Sequence, residues 1–204
     1  MEHVEHVDTP ILRRIEDHIH RKGYRIDKIN NANDVLFYIY HDKTLISEIE
    51  LHVTDGNVLI GKTRTSYATL VEVPVFNVSW LSTNKQYEGQ QLGSLLLMYA
   101  LCDLKIHNPN VNYAILDDDT DKSRSMKNIY NKLGFSFRDF VCLGDKKGEV
   151  EMSGPEKQVE LNDDFISCVI QKLDKLTGGR KKSRKYKRRN KYTINRRRCQ
   201  TRPN

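Results

Sequence analysis

SWLSTNKQYEGQQLGSLLLMYAL, Ser79 to Leu101, runs from a strand-like stretch through a polar, glycine-containing loop into a segment that is almost continuously apolar. Leu92, Leu95, Leu96, Tyr99, Ala100 and Asp103 fall at helical spacing, and Leu97, Met98 and Leu101 widen the apolar face. The helix expected within Tyr87 to His107 must therefore pack against a sheet. The loop before it can aim several amide hydrogens, from Gly89, Gln90, Gln91, Leu92, Gly93 and Ser94, at one point, where the helix terminus adds partial positive charge. A phosphate or pyrophosphate suits that point. The alternative is an ordinary strand-to-helix connection whose glycines only permit the turn.

Working outward toward the amino end, Tyr67 to Leu81 reads as a strand, with Val71, Val73 and Val75 alternating against Glu72 and Pro74. Pro74 lacks a ladder donor and predicts a break or bulge there. Asp55-Gly56-Asn57 predicts a tight turn between the strand over Thr44–Val53 and a third strand in NVLIGKT, Asn57–Thr63. Val35–Tyr40 and Thr44–Val53 read as a hairpin, and Pro10 opens an amphipathic helix carrying Ile11, Leu12, Ile15 and Ile19 that Gly23 ends. Toward the carboxyl end, Val111–Asp118 is a strand, Ser123–Gly134 a helix, Phe135–Gly144 a strand, Lys146–Gly154 a last hairpin strand and Asp163–Leu176 a closing helix. The fold class is α/β, with a mixed, mostly antiparallel central sheet flanked by helices.

The 204 residues are 38% hydrophobic, enough for one domain, expected over residues 1–177, with an appendage over 178–204. That appendage holds 13 basic and no acidic residues, which leaves 21 basic against 27 acidic in the remainder, a net of −6. Cys102, Cys142, Cys168 and Cys199 lie far apart with no paired spacing, so neither a disulfide framework nor a zinc knuckle is expected. His18 and His20 cannot share a helical face, and no metal site is expected. The longest apolar stretch is far short of a membrane span, and the reading is an intracellular protein, cytoplasmic or nuclear.

Two segments resemble the GNAT family of N-acetyltransferases. Their pyrophosphate loop follows Arg/Gln-x-x-Gly-x-Gly/Ala before a helix, often after a Tyr, and Tyr87-Glu88-Gly89-Gln90-Gln91-Leu92-Gly93-Ser94 lies over it. Gly93 matches the last small position; Glu88 stands at the usual Arg or Gln, and Gln91 at the usual middle glycine. The second element is the stretch ending in Tyr-x-x-x-Gly-Phe, here Met126-Lys127-Asn128-Ile129-Tyr130-Asn131-Lys132-Leu133-Gly134-Phe135, with Tyr130 37 positions after Gly93 and one strand between. The resemblance covers Val35 to Phe140 and extends loosely to Gly154. It implies an acyl-CoA N-acyltransferase-like fold that binds acetyl-CoA between two central strands. It further implies that Tyr130 protonates the departing thiolate, that backbone groups of the strand over Val78, Trp80 and Leu81 hold the pantetheine arm, and that Ser123 stands where the family commonly has Asn.

Acetyl transfer to an amine needs a proton acceptor within about 3 Å of the nitrogen, directly or through a water. The candidates are Glu72 in the strand before the loop, Glu48 and Glu50 on one face of an earlier strand, and Asp117, Asp118 and Asp119 at a strand end. Adjacent carboxylates repel one another and are expected to raise one pKa toward neutrality; as an alternative they only form a solvated turn. The acidic body favours a cationic amine acceptor, a polyamine, a lysine side chain or a protein amino terminus.

The appendage cannot form a core and is expected to be disordered alone. Arg180, Lys181, Lys182, Arg184, Lys185, Lys187, Arg188, Arg189, Lys191, Arg196, Arg197 and Arg198, interleaved with Tyr186 and Tyr192, suit DNA or RNA phosphates and stacking on bases. Alternatives are a nuclear targeting signal, an anionic membrane surface or contact with the acidic body. A rival to the enzyme is a catalytically silent relative of this fold that serves as a nucleic-acid-binding or structural module, which the departures at Glu88 and Gln91 favour.

Overall fold

The structure, a computed structural model, describes residues 10–31, 34–60, 69–120, 123, 125, 128–137 and 156–177. Among the described residues, three helices, α1 (Pro10–His20), α2 (Leu92–His107) and α3 (Asp163–Thr177), flank one sheet of seven strands. The strands are β1 (Arg25–Asn30), β2 (Asp34–His41), β3 (Thr44–Ile60), β4 (Thr69–Thr83), β5 (Tyr113–Asp117), β6 (Ser136–Phe137) and β7 (Glu156–Glu160). Their spatial order is β1-β2-β3-β4-β5-β7-β6, and β4 with β5 is the parallel pair in an otherwise antiparallel sheet. No helix among the described residues is long and apolar enough to cross a membrane.

α2 explains the core. Twelve of its residues, from Leu92 to Leu104, are buried, and they lie on Phe37, Ile39, Ile49, Leu51, Phe76 and Val78 of the sheet together with Ile15 and Ile19 of α1. Each large apolar side chain removed from water in this way contributes about 1.5–3 kcal/mol. Polar contacts fix the helix edge: the Tyr99 hydroxyl donates to Glu16 at 2.6 Å, and Lys28 pairs with Asp103 at 2.6 Å. A smaller cluster of Val58, Val75 and Ile115 forms where the far halves of β3 and β4 meet β5.

Three expectations need correction. Gly56 does not turn the chain: β3 runs through it without interruption, paired to Val73. The glycine is needed there because a Cβ would stand 2.7 Å from Val75 Cγ2 and 3.2 Å from Ile115 Cδ1. Pro74 does not break β4 either; it pairs with Asp55 one residue before the β5 ladder begins, where β4 has a neighbour on one side only. The helix expected over Ser123–Gly134 is, among the described residues, a turn at Asn128–Tyr130 and a 3-10 turn over Asn131–Leu133 that Gly134 ends at φ +89°. Asparagine side chains compete with helical bonds here. Asn128 Oδ1 accepts from the amide of Tyr130 at 2.8 Å, and Asn131 Nδ2 donates to the carbonyls of Ser123 and Ser125, each at 2.9 Å. Of the strand expected over Phe135–Gly144, only Ser136–Phe137 is strand among the described residues; 138–144 and the strand expected over Lys146–Gly154 lie outside them.

Two strands, β1 and β7, carry charged residues at interior positions and have no apolar alternation to reveal them. β7 lies between β5 and β6, and its Gln158 reaches back to the sheet. The side-chain amide accepts from the amide of Leu59 at 2.8 Å and donates to the Leu59 carbonyl at 2.8 Å, taking both backbone groups of that residue. β2 pairs β3 no further than His52, so Leu59 has no strand neighbour on this side.

Candidate functional site

The sheet opens where β4 and β5 part. Their ladder spans only Val75–Val78 against Tyr113–Leu116. Beyond it β4 continues to Thr83 paired with β3 alone, and β5 stops at Asp117. A bulge sits at the parting point: Leu51 faces Val78 and Glu50 faces Trp80, which leaves Ser79 as the extra residue. Such a bulge bends its strand and adds twist, and so carries β4 away from β5. The resulting cleft, about 530 Å³, has Asn77–Leu81 on one wall and Leu116–Thr120 with Tyr130 on the other.

On the β4 wall, Trp80 is 57% exposed. Its indole Nε1 donates to Glu48 Oε1 at 3.2 Å, and Ser82 Oγ donates to the same oxygen at 3.1 Å. Asn77 Nδ2 lies 3.3 Å from His52 Nε2, and the other ring nitrogen, Nδ1, shares a hydrogen bond with Ser79 Oγ at 2.8 Å.

The β5 wall holds the three aspartates in unlike states. Asp117 and Asp119 are exposed on the cleft, whereas the Asp118 side chain is fully buried. Asp118 accepts from the amide of Thr120 at 3.2 Å, Thr120 Oγ1 at 2.6 Å, Asn128 Nδ2 at 2.9 Å and the buried Lys157 Nζ. Burial pushes this carboxyl up, but the bonds from Lys157 and Thr120 outweigh it and hold the group below its ordinary value. The expectation that crowding lifts a carboxylate toward neutrality thus fails at Asp118, because a buried cation lies beside it. Lys157 also donates to the carbonyl of Ser123 at 2.6 Å and to Asn131 Oδ1 at 2.8 Å.

Tyr130 stands above this network. Its ring meets Phe135 edge-on at 6.0 Å and has Lys157 Nζ 5.8 Å from its centroid, while its side chain lines the cleft. Burial first, and then the Asp118 charge, push the phenol up to about 12. Its hydroxyl therefore keeps its proton through the neutral range.

The loop ahead of α2 lines an adjoining hollow of about 430 Å³ with Thr83, Tyr87, Glu88, Gly89, Gln91–Ser94, Ile129 and Lys132. Gly89 takes φ +79° and Gln91 takes φ +66°. Gln91 thus adopts the left-handed conformation for which the family pattern has glycine, at a cost of about 1–2 kcal/mol. The first helical bond runs from the amide of Leu95 to the Gln91 carbonyl at 3.0 Å, so the amides of Leu92, Gly93 and Ser94 precede the helical ladder. At Gly93 a Cβ would stand 2.8 Å from Thr83 Oγ1, which explains the small residue. Outside the hollow, the Tyr24 hydroxyl donates to Gln90 Oε1 at 2.9 Å, and its ring meets Tyr87 edge-on.

The structure brings together Val78, Trp80, Leu81, Asp117 and Tyr130 in one cleft and Gly89, Gln91, Leu92, Gly93 and Ser94 in the next. Gln90 lies against Tyr24 instead. Glu72 is exposed opposite Asn57, six residues before Val78 and so about 20 Å along the strand, outside the cleft. Ser123 contributes its carbonyl to Lys157 and does not line the cleft. All the basic and aromatic tail residues from Arg180 to Arg198 lie outside the described residues. The residues that sequence reasoning missed are Lys157, Asn128, His52 and Lys132. Asn128 and Lys132 lay inside a quoted motif; the others carry no local signal.

No family model matches the chain, and no curated protein matches it. Solved structures do. A tyrosine-to-phenylalanine mutant of the toxin AtaT aligns over 73% of this chain and 93% of its own, with a TM-score of 0.51 at 10% identity. The fold is GNAT-like. Two further structures align with this GNAT-like fold. AtaT complexed with acetyl-methionyl-tRNAfMet aligns over 66% of this chain and 75% of its own, with a TM-score of 0.48 at 11% identity. A putative acetyltransferase of the GNAT family from Desulfovibrio desulfuricans covers 64% and 70%, with a TM-score of 0.43 at 11% identity.

Proposed function

We propose that the protein transfers the acetyl group of acetyl-CoA to a primary amine. The observation that carries this reading is the parting of β4 from β5 after Val78, with a hydrogen-bonding strand edge and a protonated tyrosine at one cleft and a glycine-containing loop at the adjoining hollow. The residues present fit the coenzyme. Among the described residues, the backbone of Ser79–Leu81 has no partner strand on the β5 side and can accept an extended amide chain. Gln91–Ser94 line the loop hollow at a helix start, where unbonded amides suit an anion, and Lys132 lines the same hollow as Glu88, offsetting that carboxylate toward a pyrophosphate.

Acetyl-CoA supplies the acyl group as a thioester. Around it, Tyr130 donates its hydroxyl hydrogen toward the leaving sulfur, and the phenol's raised pKa keeps that hydrogen in place at neutral pH. Asp117, exposed on the cleft, takes the proton of the incoming ammonium directly or through water. Asp118 is unsuited to that role because Lys157 and Thr120 occupy its oxygens. Glu72 has no part in this reading.

Gln91 in the left-handed conformation weighs against a catalytically silent relative, since the loop keeps its shape without the glycine. The basic segment 178–204 is read as a nucleic-acid-binding or targeting arm on its 13 positive charges. Deleting it should abolish salt-dependent DNA and RNA binding; unchanged binding would remove that role.

Calorimetric titration of the full chain with acetyl-CoA, and with ATP as a polyanion control, tests the enzyme reading at two salt concentrations. Acetyl-CoA binding should survive the higher salt, whereas ATP binding through the arm should not. Equal affinities that fall together with salt would overturn the reading.

A further inference from the structure

The acceptor is the open question, and the following inference rests on the acetyl-transfer reading. Trp80 is the single tryptophan of the chain and the most exposed of its described large apolar side chains. It lines the same cleft as Tyr130, directly after the bulge. Its indole N–H is bound to the Glu48 carboxylate, which fixes the ring orientation and enriches the ring in electron density. A tethered, exposed indole beside a carboxylate is suited to receive a cation on its face.

The surrounding charges narrow the class of cation. Glu50 is the register partner of Trp80 and shares a β3 face with Glu48, while Asp117 and Asp119 line the opposite wall. None of these four carboxylates has an ion-pair partner among the described residues. A ligand with one charge satisfies one wall; a flexible chain with positive centres several ångströms apart satisfies both. We propose that Trp80 selects a linear aliphatic polyamine as the acceptor, receiving one of its ammonium groups on the indole face, and that Glu48 is a positioning residue for the ring. A second nitrogen of the same molecule is the one that reacts. It gives one proton to Asp117, the new C–N bond forms as the thioester C–S bond breaks, the leaving sulfur takes the Tyr130 proton, and the second proton lost by the nitrogen returns through water to the Tyr130 oxygen.

Because Trp80 is the only tryptophan, its fluorescence reports on this site alone. Spermidine should shift or quench the emission of the full-length protein saturably at physiological ionic strength. n-Butylamine should need about tenfold more for the same change, and 1,4-butanediol should give none. Trp80→Leu should raise the KM for spermidine about tenfold. Glu48→Gln, which keeps an oxygen acceptor for the indole, should raise it about fivefold with kcat within about twofold, a split that a folding defect would not produce. An emission unmoved by spermidine, or equally moved by n-butylamine, overturns the proposal. Acetyl-CoA binding measured on the same sample separates the two failures: if it persists, acetyl transfer stands with a different acceptor, and if it is lost, the enzyme reading fails.

Discussion

Lys157 of β7 donates to the carboxylate of Asp118, just past β5, with both side chains fully buried. The pair stands under Tyr130, and through Ser123 and Asn131 it also fixes the turn that presents the tyrosine. A β-strand lysine is thereby made part of the scaffold of the cleft.

Breaking that pair on one side should be costly. Lys157→Met should destabilise the fold by about 3–5 kcal/mol, since it leaves a buried carboxylate uncompensated, and the double replacement with Asp118→Asn should recover part of the loss. Urea unfolding of the three variants measures both. The sign of the pH effect follows from the lowered Asp118 pKa. Its contribution is present above the unfolded value of about 3.9 and is lost as pH falls through the lower folded value. Asp118→Asn should therefore flatten the acid limb of stability below about pH 4.

Gln91→Gly should raise stability. It removes left-handed strain of about 1–2 kcal/mol and adds glycine entropy of about 0.5–1 kcal/mol to the unfolded chain, a net gain of about 0.5–1 kcal/mol. Thermal unfolding would show it as a higher Tm, whereas Gln91→Val should lower Tm.

Lys172 supplies a basic-limb test. Its Nζ is buried without a hydrogen-bond partner among the described residues, and burial first, then the charge of Lys132, lower its pKa to about 8. A lowered lysine pKa means that the unfolded chain binds more protons between about pH 8 and 10.4, so this group's penalty shrinks as pH rises through that window. Lys172→Met should remove the rise. Lys132→Ala should lift the Lys172 pKa and also weaken acetyl-CoA about three- to tenfold, an effect that added salt reduces; unchanged affinity would exclude Lys132 from the phosphate hollow.

Tyr130→Phe keeps the ring packing on Phe135 and removes only the hydroxyl. Loss of a positioned acid costs about 10²-fold or more in kcat. The variant should bind acetyl-CoA and fold as the parent does while turnover falls by that factor; undiminished turnover would dismiss Tyr130 as the acid.

Periodicity was enough for α1, α2, α3, the β2–β3 hairpin and β5, because each buries one continuous apolar face. It failed at β7, where the buried side chain is a lysine whose stability depends on Asp118, 39 residues away. It failed again at Gly56, where a turn-like triplet is a strand segment shaped by Val75 and Ile115 from two other strands. For the cleft, Tyr130 and the loop were legible from spacing and resemblance. The coupling of Glu48 to Trp80 was not, since it depends on the register across the bulge.

The hold of Gln158 on Leu59 bears on how the molecules behave toward one another. An uncapped strand margin offers its amides and carbonyls to any passing chain and seeds stacking between copies. One glutamine, by occupying both groups of Leu59 from within the same molecule, closes that margin to a neighbour at this point.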